Sequence, residues 1–330
     1  MRHFALLFFL FALTASSAQA QTPRSAADYL HRGVTRVKKG DLDGAIADYD
    51  SAIAQCLSAA LDSTDDSDAG STGKELQELI VNRGRSLAIV PFIAAAYHNR
   101  GLARQAKGDL DGAIADFDLA IERFPRFAES YVGRGTAHYR KGEMEETIAD
   151  LNRAIEIHPG YTTAYVNRGN ALKAKGETEE ALANYNRAIQ LDPGLAQAYN
   201  NRGVIYCDRA DFDQAIADYN TAIKLDPHMA EAYNNRGVAR QAKGDFQQAL
   251  ADFGKAIHIN PKFHVAYENR GLVQLIRGQD AEAEKDFAHC LASGEELKPA
   301  LEERISVAKL QRAQRLAGLT GDDEAGGQKQ

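Results

Sequence analysis

The chain is poor in the features that announce an enzyme, a metal site or a nucleic-acid binder. Three cysteines, Cys56, Cys207 and Cys290, are all it has, and none forms a CxxC spacing, so the cysteines supply no zinc site. The formal charge is −7 over 330 residues. No sustained Lys/Arg stripe with interleaved aromatics offers a phosphate backbone a cationic track. A Gly-rich phosphate loop, a Gly-Xaa-Ser-Xaa-Gly elbow and a His-Glu-Xaa-Xaa-His helix are all absent, and nine histidines are scattered without ligand spacing. The expectation is a non-enzymatic protein with no cofactor, no metal and no nucleic-acid partner. Apolar runs also fall well short of the roughly 20 residues a spanning helix needs. The run Phe4–Leu13 follows Arg2 and His3 and precedes Ala18-Gln19-Ala20. It reads as a signal peptide over residues 1–20, cleaved after Ala20, and so as an exported protein without a membrane span.

What is present is periodic. Tyr-Xaa-Asn-Arg-Gly starts at Tyr97, Tyr165, Tyr199, Tyr233 and Tyr267, with a copy at Tyr131 that carries Gly133 for Asn. The spacing is 34 residues or a multiple of it, and a looser copy begins at Tyr29, two periods before Tyr97. A fixed period of this length marks an array in which each unit buries its apolar face against its neighbours. Within Ala94–Phe127, helix formers run from Ala94 to Lys107. Gly108 offers a left-handed cap, Asp109 an N-cap, and Leu110, Ala113, Ile114, Phe117, Ala120 and Ile121 repeat at helical spacing up to Pro125. Two helices joined by a Gly-Asp turn make an antiparallel hairpin. Gly101, Ala113 and Ala120 recur as small residues where two helix axes must approach, and Phe117, Tyr185, Tyr219, Phe253 and Phe287 fill the space beyond them as core. Cysteines more than two units apart in such an array do not reach disulfide distance.

These residues resemble the tetratricopeptide repeat (TPR) family. Tyr97, Gly101, Ala113, Phe117, Ala120 and Pro125 supply its aromatic, Gly, Ala, aromatic, Ala and Pro in order. The resemblance implies an all-α fold, a right-handed superhelical solenoid of TPR hairpins with a C-terminal capping helix. Residues 21–61 hold one N-terminal unit. Residues 94–297 hold six contiguous units, starting at Ala94, Ala128, Thr162, Ala196, Ala230 and His264. Departures are Thr147 and Leu151 for the small and aromatic residues of the second contiguous unit, and Ala210 for a turn Gly. Residues 62–93 are expected to be an acidic flexible loop followed by a degenerate helical segment. Because 60–93 is one period long, a degraded repeat in register is the alternative. Residues 298–319 read as the capping helix, with Leu301, Ile305, Leu310 and Leu316 on it, and 320–330 as a disordered tail.

Two polar series run through the signature. Each Arg has an acidic residue sixteen positions later in all but one unit. Arg100 with Asp116, Arg202 with Asp218, and Arg236 with Asp252 are read as structural ion pairs within hairpins. The Asn series comprises Asn99, Asn167, Asn201, Asn235 and Asn269. By the resemblance it lies towards an inner, concave surface, where an amide ladder either binds the main chain of an extended peptide or joins neighbouring helices. Both readings stand at the level of sequence. The resemblance also places His98, Tyr139, Asn170, Lys173, Asn200 and Asn234 on that surface, as residues that set specificity for a peptide or protein partner. Terminal-carboxylate clamps in some TPR domains need Lys and Arg at set inner positions, which here hold mainly Asn, Val and Glu. The reading is an exported adaptor, periplasmic or secreted given the bacterial style of the motif. The alternative is a structural or self-assembling envelope component, possible as a homo-oligomer, that uses convex or end surfaces.

Overall fold

A computed structural model describes residues 25–61, 89–291 and 298–325. The proposed signal peptide, most of the stretch 62–93 and residues 326–330 lie outside these. The described residues hold fifteen helices and no strand, and fall into two compact units, one ending at Pro125 and the other starting at Arg126. The all-α hairpin class expected from the repeats is what the structure has. No helix among the described residues is long and apolar enough to cross a membrane.

The first unit contains α1 (Ala26–Lys38), α2 (Leu42–Leu61), α3 (Ile89–Lys107) and α4 (Leu110–Arg123). Ser25 caps α1 through a reciprocal box with Asp28, satisfying two orphan amides at once. Helices α1 and α2 form one hairpin, α3 and α4 the next, and α2 lies directly against α3. Arg100 Nη1 meets Asp50 at 2.5 Å and Lys107 pairs with Asp43, across 50 and 64 residues of chain. A degraded repeat in register at 60–93 would put a further hairpin between α2 and α3. Those two helices lie directly against each other, and residues 62–88, on which that alternative rests, lie outside the described residues.

The second unit contains five helix hairpins and a closing helix. Its first members are α5 (Ala128–Lys141), α7 (Thr162–Ala174), α9 (Ala196–Asp208), α11 (Ala230–Ala242) and α13 (His264–Ile276). Its second members are α6 (Met144–Ile157), α8 (Thr178–Leu191), α10 (Phe212–Leu225), α12 (Phe246–Ile259) and α14 (Asp280–Leu291), followed by α15 (Lys298–Ala325). Within this unit each first helix packs on its own partner, and α7, α9, α11 and α13 also pack on the second helix of the preceding hairpin. Close approach depends on glycine. A Cβ on Gly169 would stand 2.6 Å from the Tyr185 ring, nearer than atoms tolerate. In the departing unit the ring is replaced by Leu151 and the fit at Gly135 relaxes to 3.3 Å. There Thr147 is buried but satisfied, its hydroxyl donating to the Glu143 and Gly135 carbonyls at 2.8 and 3.2 Å. Ala210 accepts the left-handed turn between α9 and α10 at φ 60°, where the other hairpin turns use glycine.

Helix α15 closes the second unit. Leu301 and Ala308 are buried, with Ile305 beside them, against Leu272, Leu275 and Ile276 of α13. Burying a leucine such as Leu301 contributes on the order of 1.5–3 kcal/mol. Arg304 reaches Glu268 at 2.5 Å, and Arg312 reaches Asp280 at 2.7 Å. The opposite face leaves Val307 and Leu310 half or more exposed, at 50% and 60%. The helix continues to Ala325, beyond the Leu319 end suggested by its sequence pattern.

Candidate functional site

The arginines of the signature are consumed by the fold. Arg202 donates from Nε and Nη2 to both oxygens of Asp218 at 2.8 and 2.7 Å, and Arg236 does the same to Asp252 at 2.9 and 2.6 Å. In the first unit Arg100 grips Asp116 at 2.9 and 2.5 Å. The third guanidinium nitrogen reaches back to the preceding hairpin, Arg202 to Asn186 at 2.7 Å and Arg236 to Asn220 at 2.6 Å. Each guanidinium also lies 5.3–5.6 Å from the ring of its own signature tyrosine, Tyr97, Tyr199 or Tyr233. One fork therefore ties two helices of a hairpin and a third from its neighbour. Asp116, Asp218 and Asp252 are buried, so these carboxylates are paired rather than offered to a ligand. Arg168 faces the neutral Asn184, and burial lowers its pKa, whereas the bond to Asp218 raises that of Arg202.

The asparagines form a directed file. Asn269 donates to Asn234 at 2.9 Å, Asn234 to Asn235 at 3.4 Å, and Asn235 to Asn200 at 3.1 Å. Asn200 donates to Asn201 at 3.3 Å, and Asn201 to Asn170 at 2.8 Å. Arg304 starts the file, donating to the Asn269 carbonyl oxygen at 3.0 Å. At the other end Asn170 accepts a second bond, from the Tyr185 hydroxyl at 2.8 Å. Asn200, Asn234 and Asn269 are buried, while Asn167, Asn201, Asn235 and Asn170 are half-buried. Asn167 stands apart from the file and donates to the Thr136 hydroxyl at 3.4 Å. In the first unit Asn99 is half-buried, and His98 is buried beside the Phe117 ring. Burial lowers the His98 pKa to about 4.

Where the file ends, the first helices α5, α7 and α9 enclose a hollow of about 310 Å³. Tyr139, Asn170, Lys173, Ala174, Tyr185, Asn201 and Val204 line it. The geometry brings Tyr139, Asn170, Lys173 and Asn201 together, and it does not bring His98, Asn99, Asn167, Asn234 or Asn269 to the same place. Ala174 leaves the space that a longer side chain would fill. Lys173 lies 3.4 Å from Asp208, a carboxylate 62% exposed. Sequence reasoning passed over Tyr185, assigned wholly to the core, and Arg304. The position of Arg304, 35 residues after Asn269, is the interval that also separates Asn269 from Asn234, so the signal was present.

Among solved structures, the chain is similar to a tetratricopeptide repeat protein from Parabacteroides merdae. The identity is 18%, the TM-score 0.60, and the match covers 86% of this chain and 98% of that one. It is also similar to PilW, a type IV pilus biogenesis factor, at 17% identity and TM-score 0.57 over 63% of this chain and 98% of that one. MamA matches at 28% identity and TM-score 0.43, over 49% of this chain and 95% of its own. No curated protein sequence matches the chain. Family models described as tetratricopeptide repeat match residues 98–162 and 230–263, and one described as TPR repeat matches 169–207 and 203–244. The hollow, and the part of the amide file from Asn170 to Asn235, lie in residues that these repeat models match.

Proposed function

We propose that the protein is a non-enzymatic interaction adaptor that takes a peptide segment or a partner protein on the inner surface of its first helices. The observation that carries this reading is the hollow between α5, α7 and α9, where polar groups from three hairpins converge on one space. The amide file modifies how a guest is held. Most of its bonding capacity joins neighbouring hairpins, so main-chain recognition falls to the spare N–H and lone-pair sites of the half-buried Asn167, Asn201 and Asn235. Side chains of the guest enter the hollow and supply selectivity. Residues 1–20 support export, to the periplasm or beyond.

The test is a random-peptide display library panned on the full chain. Enriched peptides are expected to lose binding to Val204→Arg, which fills the hollow, while circular dichroism shows the same helix content. Failure to enrich any peptide, or equal binding to Val204→Arg, overturns the reading. A second reading, self-assembly through an end surface, is favoured by the exposed Val307 and Leu310 on α15. Light scattering across a concentration series separates the two, because self-assembly raises the mass as concentration rises.

A further inference from the structure

Gly254 sits in the middle of α12, where glycine weakens a helix. Neither of the usual demands for glycine applies there. Its φ lies outside the left-handed region, and a Cβ placed on it would meet one atom, Arg270 Nη1, at an ordinary 3.8 Å. At Gly237 and Gly271, by contrast, a Cβ would stand 2.6 and 2.7 Å from an aromatic ring. At four other junctions the place of Gly254 holds a side-chain oxygen. Asp50, Asn152, Asn186 and Asn220 each accept from Nη1 of the signature arginine in the next described hairpin, at 2.5–2.7 Å. Arg270 is held as those arginines are. Its Nε and Nη2 both donate to Asp286 at 2.7 Å, its guanidinium lies 5.6 Å from the Tyr267 ring, and His289 stands edge-on to that ring at 4.4 Å. The plane of the guanidinium is therefore fixed, with Nη1 turned to the empty place and no acceptor for it among the described residues. Arg270 is also the more open, 26% exposed against 15% for Arg236. At this junction the chain forgoes both helix propensity and a hydrogen bond, and leaves a notch in front of a preorganised donor.

We propose that this notch is a docking point for a partner protein, filled by an asparagine or aspartate side chain of that partner. Its oxygen takes the place that Asn220 and Asp50 fill from within the chain. Both groups have a precedent here. Arg100 holds Asp116 and Asp50 together, so a second carboxylate is accepted beside the one that neutralises the arginine, and Arg236 holds an amide. A lysine ammonium, which only donates, meets Nη1 without an acceptor and is refused. Arg270 leaves α13 towards α12 and α14, so the notch is distinct from the hollow between α5, α7 and α9 and fills independently of it.

The experiment has two arms, both on the full chain. In the first, acetamide and acetate, which carry the missing group alone, are titrated into ¹⁵N-arginine-labelled protein and read by nuclear magnetic resonance on the guanidinium signals. Arg270 is expected to shift at least about threefold more than Arg236 with one or both probes, and the stronger probe tells whether amide or carboxylate fits better. Gly254→Asn supplies the oxygen in cis and is expected to abolish the response. Asn220→Gly opens the same notch at Arg236 and is expected to confer it there. Equal shifts at the two arginines, a response that survives Gly254→Asn, or no gain in Asn220→Gly overturns the proposal. In the second arm a display library of helical peptides, each with one Asn or Asp among randomised positions, is panned on the chain. Binders are expected that weaken at least about tenfold on Gly254→Asn, weaken as much when their own Asn or Asp becomes Ala, and still bind Val204→Arg. A library whose binders all ignore Gly254→Asn but lose Val204→Arg removes the notch and leaves the hollow standing. Binders lost to Gly254→Asn alone, in a chain that enriches nothing sensitive to Val204→Arg, keep the notch and remove the hollow. No binder of either kind removes both.

Discussion

Two junctions between hairpins carry nearly the same contacts on very different connections. Between α8 and α9 the chain crosses in four residues, and Arg209 meets Glu179 and Arg202 meets Asn186, thirty and sixteen residues back. Between α2 and α3 the corresponding partners are Lys107 with Asp43 and Arg100 with Asp50, each one 34-residue period further apart. Stacking is therefore decided by the faces of the helices and their charged edges, while the length of the connection matters little. Loop-closure entropy agrees, since doubling a flexible loop costs only about 0.6 kcal/mol. The junctions do differ in one respect. Arg100 sits between two carboxylates, Asp116 and Asp50, whereas Arg202 has Asp218 and the neutral Asn186.

That difference sets the largest expected effect. Asp218→Ala leaves Arg202 half-buried without a counterion and is expected to cost about 3–5 kcal/mol of the second unit's stability. Asp116→Ala is expected to cost less in the first unit, because Asp50 still neutralises Arg100. Denaturant unfolding with hydrogen exchange resolved over α1–α4 and α5–α15 checks both, and equal losses would remove the role given to Asp50. Next come the close approaches. Gly101→Leu drives a side chain into the Phe117 ring, 2.9 Å from the Cβ position, and is expected to cost about 1–3 kcal/mol or more. Gly135→Leu, with 3.3 Å available, is expected to cost less, by the same unfolding measurement.

A pH dependence separates the two units further. His98 is neutral when folded, with its pKa lowered by burial from 6.5 to about 4. The unfolded chain takes up that proton first, so this contribution is whole above pH 6.5 and is lost as pH falls towards 4. The same place in the second unit holds Val132, Val166, Asn200, Asn234 and Glu268, and no histidine. Acid is therefore expected to loosen α1–α4 through this group, and His98→Gln to flatten the slope of stability against pH. A slope unchanged by His98→Gln would contradict it. The smallest effect belongs to the connection itself. Deleting residues 60–93, which takes the last two residues of α2 and the first five of α3 with the connection, removes one whole period and joins Ala59 to Ala94 in repeat register. The melting temperature is expected to stay within about 5 °C, a change on the order of 1 kcal/mol. Loss of the cooperative transition would mean that the stretch supports the stack.

The period, the turn residues and the packing glycines made the hairpins legible in the sequence, because each is a local steric demand. The register of 60–93 was not legible, since one period of chain reads alike whether or not it forms a hairpin, and 62–88 lie outside the described residues. The candidate site was half legible. The asparagine spacing was plain, and the doublets Asn200-Asn201 and Asn234-Asn235 hinted at links within the file. The direction of those amides depends on Arg304 and Tyr185, which come from other helices, and no spacing rule carries that information.

Cys207 stands three residues beyond Val204 on α9, half-exposed, while Cys56 and Cys290 are buried. Burial raises its thiol pKa, so it reacts as thiolate more readily in mildly alkaline buffer. An environment-sensitive dye attached there would report, without any engineered residue, when something settles one helical turn away.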